Sequence, residues 1–295
     1  MRALLRPSGT RFHRVLSRIA LYGGALFVVL PLAFGHVMKR TFRGHVSPGP
    51  PPGWTETWLQ ADGLRLRAWR GAGRPGRAAV VVAHGVGDSL ESFTSFGEQL
   101  RARGHPVLLL DMRGHGGSEG RRTTLGGHEA HDVRAALDLL RADPDGRRGT
   151  ILAGFSMGAV ASLLAAADRD DVRAVIVESP YDTYRNNIRH HAWLLYRIPG
   201  WLPIVPLSIA MAEWLGGFDA DEVDAVAAAA RIRAPLLAIV DGEDDRMPEQ
   251  VVRRIVDAHH GPRRLWVARG AAHVGASLSV EYWPTVIGFL EENGL

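Results

Sequence analysis

Hydrophobic positions along the chain follow three different patterns. From Ile19 to Val37, nineteen residues pass without an Asp, Glu, Lys or Arg. From Trp54 to Arg70 apolar and polar residues alternate, Leu64, Leu66 and Ala68 being set against Arg65 and Arg67. Beyond them lie short unbroken apolar runs at 79–83, 107–110, 151–153, 175–177, 236–240 and 265–267. Alternation with a period of two predicts strands with one solvated face, here an antiparallel edge hairpin. Unbroken runs of this length suit strands covered on both faces, as in a parallel sheet. Helical stretches are predicted between them at 91–103, 125–141, 157–167, 248–260 and 280–292. Strand and helix taking turns predict a doubly wound, mostly parallel α/β sheet over residues 54–295, with ligands at the carboxyl ends of its strands. No internal repeat is visible.

The first run has another meaning. As a helix rising about 1.5 Å per residue, nineteen residues span roughly 28 Å, close to the hydrocarbon thickness of a bilayer. Gly23, Gly24 and Pro31 weaken a helix in water but are tolerated in membrane spans. The run therefore predicts a transmembrane anchor at about 19–37 within a basic leader, residues 1–43. Two other readings stay open: a cleaved signal peptide, suggested by Ala33-Phe34-Gly35, and a buried helix of a soluble fold. Arg2, Arg6, Arg11, Arg14 and Arg18 precede the run, and Lys39, Arg40 and Arg43 follow it. The excess on the first side predicts a cytoplasmic N-terminus and a globular domain on the outer side. The Pro- and Gly-rich stretch 44–53 cannot be a helix interior or a central strand and reads as a stiff linker.

Charge and cysteine usage narrow the chemistry. The formal net charge of +4 comes from the leader, whose eight basic residues meet no acidic one, leaving 27 basic against 31 acidic residues beyond it. That balance does not indicate a nucleic-acid-binding domain. With no cysteine in the chain, disulfides, thiolate nucleophiles and cysteine-ligated zinc are excluded. His128 and His131 lie three apart beside Asp132 on a predicted helix, but no third ligand accompanies them, so no metal is expected. His84, Arg113 and His115 are read as turn-shaping residues, and the pairs His190-His191 and His259-His260 as solvated.

Gly154-Phe155-Ser156-Met157-Gly158 follows the run 151–153 and precedes an alanine- and leucine-rich helical stretch. A serine on a sharp strand-to-helix turn is exposed at a helix N-terminus, where free N–H groups and the dipole favour a developing negative charge. A serine hydroxyl needs a base within hydrogen-bond reach, and an imidazole needs a carboxylate to hold its tautomer. His273, in Gly270-Ala271-Ala272-His273 after the run 265–267, is the expected base. Asp241, Asp244 and Asp245 compete for the acid.

Residues from about 54 onward resemble the α/β-hydrolases, in particular the serine aminopeptidase (S33)-like and monoglyceride-lipase-like branch. The resemblance is carried, in chain order, by His84-Gly85-Val86-Gly87, Asp111-Met112-Arg113-Gly114-His115-Gly116-Gly117-Ser118, residues 154–158, Gly242-Glu243-Asp244-Asp245-Arg246-Met247-Pro248, and residues 270–273. It implies a Ser156-Asp245-His273 triad, the family spacing placing the acid three residues after Gly242. It also implies an oxyanion hole from the backbone N–H groups of Met157 and Val86. In this fold the insertion at about 180–234 forms a lid. Its apolar middle points to Trp193, Leu194, Tyr196, Trp201 and Trp214 as substrate-binding residues, or as a surface touching a bilayer. The expected function is a serine hydrolase that cleaves an apolar or acyl ester or thioester through an acyl-enzyme, without cofactor. An aminopeptidase-like amide hydrolase and a non-catalytic binding protein on the same fold are the alternatives. Neither oligomeric state nor a nucleic-acid partner is indicated.

Overall fold

The structure, a computed structural model, describes residues 13–18, 24, 29, 31–33, 46–142 and 148–295. The predicted span 19–37 falls almost wholly outside these residues. Among the described residues no helix is long and apolar enough to cross a membrane.

The alternating segment forms the expected hairpin, β1 (Trp54–Ala61) and β2 (Leu64–Gly71), paired antiparallel from Trp54↔Gly71 to Ala61↔Leu64. The apolar runs form β3 (Ala79–Ala83), β4 (Val107–Leu110), β5 (Thr150–Phe155), β6 (Val172–Glu178), β7 (Leu236–Asp241) and β8 (Arg263–Ala268). They assemble in the order β1-β2-β4-β3-β5-β6-β7-β8, parallel from β4 to β8, with β2 antiparallel to β4.

Because side chains alternate across a pleated strand, each central strand feeds two cores. Val81, Leu108, Leu110, Leu152, Val175, Val177, Leu236 and Val240 face one side. There they meet α2 (Glu129–Arg141), α3 (Met157–Ala166) and α7 (Glu249–Ala258). Val80, Val82, Leu109, Ile151, Phe155, Ile176 and Ile239 face the other, against α1 (Thr94–Ala102) and α8 (Tyr282–Glu292). Burial on both faces explains why these strands carry no polar alternation. Between β6 and β7 the insertion folds into α4 (Tyr184–Tyr196), α5 (Ile204–Gly216) and α6 (Ala225–Arg231).

The expected helix 125–141 starts later than the sequence pattern suggests. Leu125 and Gly126 take φ of +54° and +120°, and the helix begins only at Glu129. The buried Glu129 carboxylate accepts hydrogen bonds from Thr124 N, Thr124 Oγ1 and Gly126 N. Residues 123–127 are thereby held as a loop over the sheet's carboxyl edge.

The linker is tied down at its far end. Ser47 N and Oγ donate to Glu91 Oε1 at 2.7 and 2.9 Å, and Arg67 Nη2 donates to Ser47 O at 3.1 Å. Arg67 is itself only 3% exposed and pairs with Glu56 and Glu91, so this anchorage is part of the hairpin's own packing.

Candidate active site

Ser156 stands between β5 and α3 with φ of +51° and ψ of −113°, a conformation rare for a residue with a Cβ. The glycines around it serve close approach. A Cβ on Gly158 would come 2.1 Å from Ala83 O of β3, and one on Gly154 would come 2.4 Å from Gly158 O. The turn can therefore press against the neighbouring strand end only if both positions lack a side chain. Ser156 N donates to Glu178 O at 2.9 Å, fixing the turn to β6.

The carboxyl edge brings distant residues together. Ser156 Oγ lies 3.0 Å from His273 Nε2, and His273 Nδ1 lies 2.6 Å from Asp244 Oδ2. The carboxylate on the imidazole is thus Asp244, not the expected Asp245. After β7 the chain turns, Asp244 N donating to Asp241 O at 3.1 Å. Asp244 Oδ1 then accepts from Arg246 N and Met247 N, at 2.9 and 3.2 Å, which leaves Oδ2 aimed at His273. Asp244 is buried whereas Asp245 is exposed. The Asp245 carbonyl, not its carboxylate, is engaged, by His190 Nε2 at 2.7 Å. Counting from Gly242 misleads by one residue because the turn, rather than the glycine, sets which carboxylate points inward.

Burial pushes the Asp244 carboxyl upward, but the hydrogen bond and charge of His273, with help from Ser179 and Met247 N, hold it below the usual carboxylate range. It is accordingly ionised at neutral pH and can hold an Nδ1–H tautomer, leaving Nε2 to accept from the serine hydroxyl.

Behind this row lies a second layer that sequence inspection missed. Ser179 Oγ is 2.8 Å from Asp244 Oδ2 and 2.5 Å from Asp241 Oδ2. Asp241 also accepts from Val274 N at 2.9 Å and Gly275 N at 3.2 Å, the two residues after His273. Ser179 and Val274 are at φ of +51° and +56°, so strained backbone recurs around the imidazole loop. One hydroxyl proton cannot fully serve two carboxylates. Burial raises the Asp241 carboxyl, and a protonated Asp241 would relieve that shortage by donating to Ser179. Four acidic residues within the turn 241–245 were the available signal in the sequence.

Glu178 adjoins this layer. Its Oε1 accepts from Ala276 N at 3.2 Å, and its buried carboxyl adjoins the buried Tyr282 hydroxyl. Burial, followed by the charge of Asp241, pushes its carboxyl up to about 8. The folded protein therefore retains a proton that the unfolded chain releases near the ordinary value of 4.5. Stability from this group is complete below that value and is lost as pH rises towards 8, at about 1.4 kcal/mol for each pH unit crossed between the two. Glu178→Gln should thus gain in Tm relative to the parent between pH 5 and 8, the difference levelling off above 8. A pH-independent difference in thermal melts would refute the assignment.

A cavity of about 250 Å³ opens on Ser156 and His273. Its walls include Val86, Leu125, Met157, Tyr181, Ile188, His191, Leu195 and Met247. Val86 and Met157 thus share this cavity with Ser156. Of the five expected lid residues only Tyr196 reaches this cavity. Leu194 is half-buried outside it, and Trp193, Trp201 and Trp214 are 50, 79 and 75% exposed. Trp214 borders a separate groove with His128 and Arg134. Helical phase explains the difference. Positions 184, 187, 188, 191 and 195 of α4 share one face and 193 lies opposite it, while Trp201 and Trp214 lie outside this helix. His191, expected in solvent, lines the cavity, and His259 is fully buried with Nδ1 on Ala229 O at 3.2 Å.

The remaining polar landmarks build turns. His84 spans Gly85 O and Met112 N at 2.7 and 3.1 Å, joining the 84–87 turn to the end of β4. Arg113 grips the buried Asp132, with Nη2 2.6 Å from Oδ1. His131 pairs with Asp62 at 2.7 Å. Among the described residues no group of three His, Cys, Asp or Glu could hold a metal ion.

Comparison with known proteins agrees with the fold. The family profile for serine aminopeptidase, S33, matches residues 74–216. An uncharacterized protein of Mycobacterium tuberculosis is 30% identical over 217 residues, covering 72% of this chain and 69% of its own length. Mouse monoglyceride lipase is 34% identical over 116 residues, 38% of this chain and 37% of that enzyme. A solved Pyrococcus furiosus esterase superposes with a TM-score of 0.68 at 23% identity, covering 86% of this chain and 98% of the esterase. At that identity the likeness is one of fold.

Proposed function

The chain belongs to the α/β-hydrolase superfamily, and on that premise we propose that it is a serine hydrolase cleaving a carboxylic ester, or a thioester, of an apolar acyl group. The observation that carries this reading is the hydrogen-bonded row Ser156–His273–Asp244 opening on an apolar cavity. Ser156 Oγ attacks the acyl carbon while His273 Nε2 takes its proton. The electron pair of the carbonyl moves onto oxygen, and the N–H groups of Met157 and Val86 receive it. Collapse of the tetrahedral species expels the alcohol, to which His273 returns the proton, and Ser156 keeps the acyl group. Water activated by the same imidazole then releases the acid. Asp244 holds the ring and balances the imidazolium in both halves.

The cavity is smaller than the roughly 300–1,000 Å³ typical of sites for drug-sized ligands. Short acyl chains should therefore be preferred. In a series of p-nitrophenyl esters, kcat/KM is expected to fall at least about tenfold between butyrate and palmitate, since one misfitted methylene is already worth about 1–3 kcal/mol. Aminoacyl anilides should be poor substrates. Rapid cleavage of the anilides with no ester hydrolysis would favour the amide-directed alternative and overturn this reading.

The nineteen-residue run in a basic leader supports a further part of the proposal: the enzyme is held at a membrane by its N-terminus, with the catalytic domain on the outer side. A reporter fused after Leu295 should be active outside the cytoplasm only. Activity confined to the cytoplasm would reverse that orientation.

A further inference from the structure

Beside the cavity at Ser156 lies a second one of about 240 Å³. Tyr181, Asn187, Arg246 and Met247 line both, so the two adjoin across these side chains. Their chemistry differs. Around the serine the walls are mostly carbon, from Val86, Leu125, Ile188 and Leu195. The neighbouring cavity is bordered by Asp182, Asn186, His190, Gln250 and Arg254.

Charge in the second cavity is unevenly matched. Asp182 is fully engaged, by Thr183 N at 2.7 Å, by Asn186 Nδ2 at 3.0 Å and by an ion pair with Arg254. Arg246 stands on the shared wall and, among the described residues, forms no ion pair with a carboxylate. The only carboxylate on the reacting row, Asp244, is already taken by His273. Burial lowers the His191 imidazole against its hydrogen bond to Asn187 O, so it adds no charge at neutral pH and the Arg246 guanidinium is the unmatched charge on this wall. Asn187, 9% exposed and also on the shared wall, has a buried Oδ1 without a hydrogen-bond partner among the described residues. A buried acceptor left unpaired is costly, and a ligand hydroxyl placed between the cavities would relieve it.

We infer that the substrate has two unlike ends: an apolar acyl group beside Ser156, and an alcohol portion bearing an anion, carboxylate or phosphate, that Arg246 receives in the second cavity. The inference rests on the ester-hydrolase reading above and specifies its substrate class. The guanidinium presents paired N–H donors in a plane, which matches either anion.

Matched substrates test it. The butyrate esters of glycolate and of glycolamide differ only in a carboxylate against a neutral amide. The butyrates of glycerol phosphate and glycerol form the corresponding phosphate pair. The native enzyme should favour the anionic member in kcat/KM by about tenfold or more, and added salt should reduce that preference. The pair showing the larger preference identifies the anion. Arg246→Ala should bring the ratio close to one, and Arg246→Glu should invert it. A ratio near one in the native enzyme, or a preference untouched by either substitution, would overturn the inference. If both neutral esters are hydrolysed through Ser156 while the ratio is one, only the anion-binding inference fails. If no ester of either pair is cleaved, the hydrolase reading fails with it.

Discussion

Ser156→Ala is expected to lower kcat for ester hydrolysis by about 10⁶-fold and to abolish labelling by a fluorophosphonate. The size follows from the role: without Oγ no acyl-enzyme forms, and what remains is the rate supported by binding and the oxyanion donors alone. The substitution should cost little stability. Among the described residues Oγ bonds only His273 Nε2, and the backbone contacts that hold the turn, Ser156 N to Glu178 O and Ala159 N to Ser156 O, need no side chain. An unchanged Tm with lost turnover is therefore the expected pair of results. Labelling that persists in Ser156→Ala would place the nucleophile elsewhere.

The second large effect separates two adjacent residues. Asp244→Asn should lower kcat by about 10⁴-fold, because an amide facing His273 Nδ1 no longer holds the imidazole in the tautomer that accepts the serine proton. Asp245→Asn should stay within about threefold of the parent. Its side chain is exposed, and its carbonyl, which His190 engages at 2.7 Å, is unaffected by the change. Steady-state kinetics of both variants on one p-nitrophenyl ester decides the matter. Equal losses, or a larger loss at Asp245, would show that the turn after β7 acts in another conformation than the one seen. Because Asp241 and Ser179 stand behind Asp244, a carboxylate remains near the ring in Asp244→Asn. Any residual activity of that variant should fall further on adding Asp241→Asn.

Much of the architecture was legible from hydrophobic patterning. The runs at 79–83 and 107–110 coincide with β3 and β4 to the residue, because strands buried on both faces admit no polar position inside them. The hairpin was equally plain, since one solvated face enforces alternation. Element ends were less legible where φ is positive. Leu125 carries a good helix-forming side chain yet lies in a loop, and only the buried Glu129 carboxylate, bonded to Thr124 and Gly126, explains why.

At the site, the strand–turn–helix context of residues 154–158 and the position of His273 after β8 were readable, because local chain order dictates which residues emerge at a strand's carboxyl end. The tryptophans of the lid misled for a complementary reason. Composition marked the insertion as apolar, but which face of α4 looks inward depends on how that helix docks, and Asn187, Ile188, His191 and Leu195 won that face.

The amino-acid order alone settled the nature of the elements, their alternation and the supply of a serine, a histidine and several carboxylates at strand ends. These are decided within a dozen residues, by burial periodicity and by glycines that permit tight turns. Convergence was settled only in three dimensions. Whether Asp244 or Asp245 meets His273, which side chains wall the cavity, and that Arg246 borders two cavities at once all depend on contacts between segments far apart along the chain, Ser156 and His273 being 117 residues apart. A one-residue rotation in a turn redirects a carboxylate without altering any local pattern, so no reading along the chain could distinguish the two aspartates.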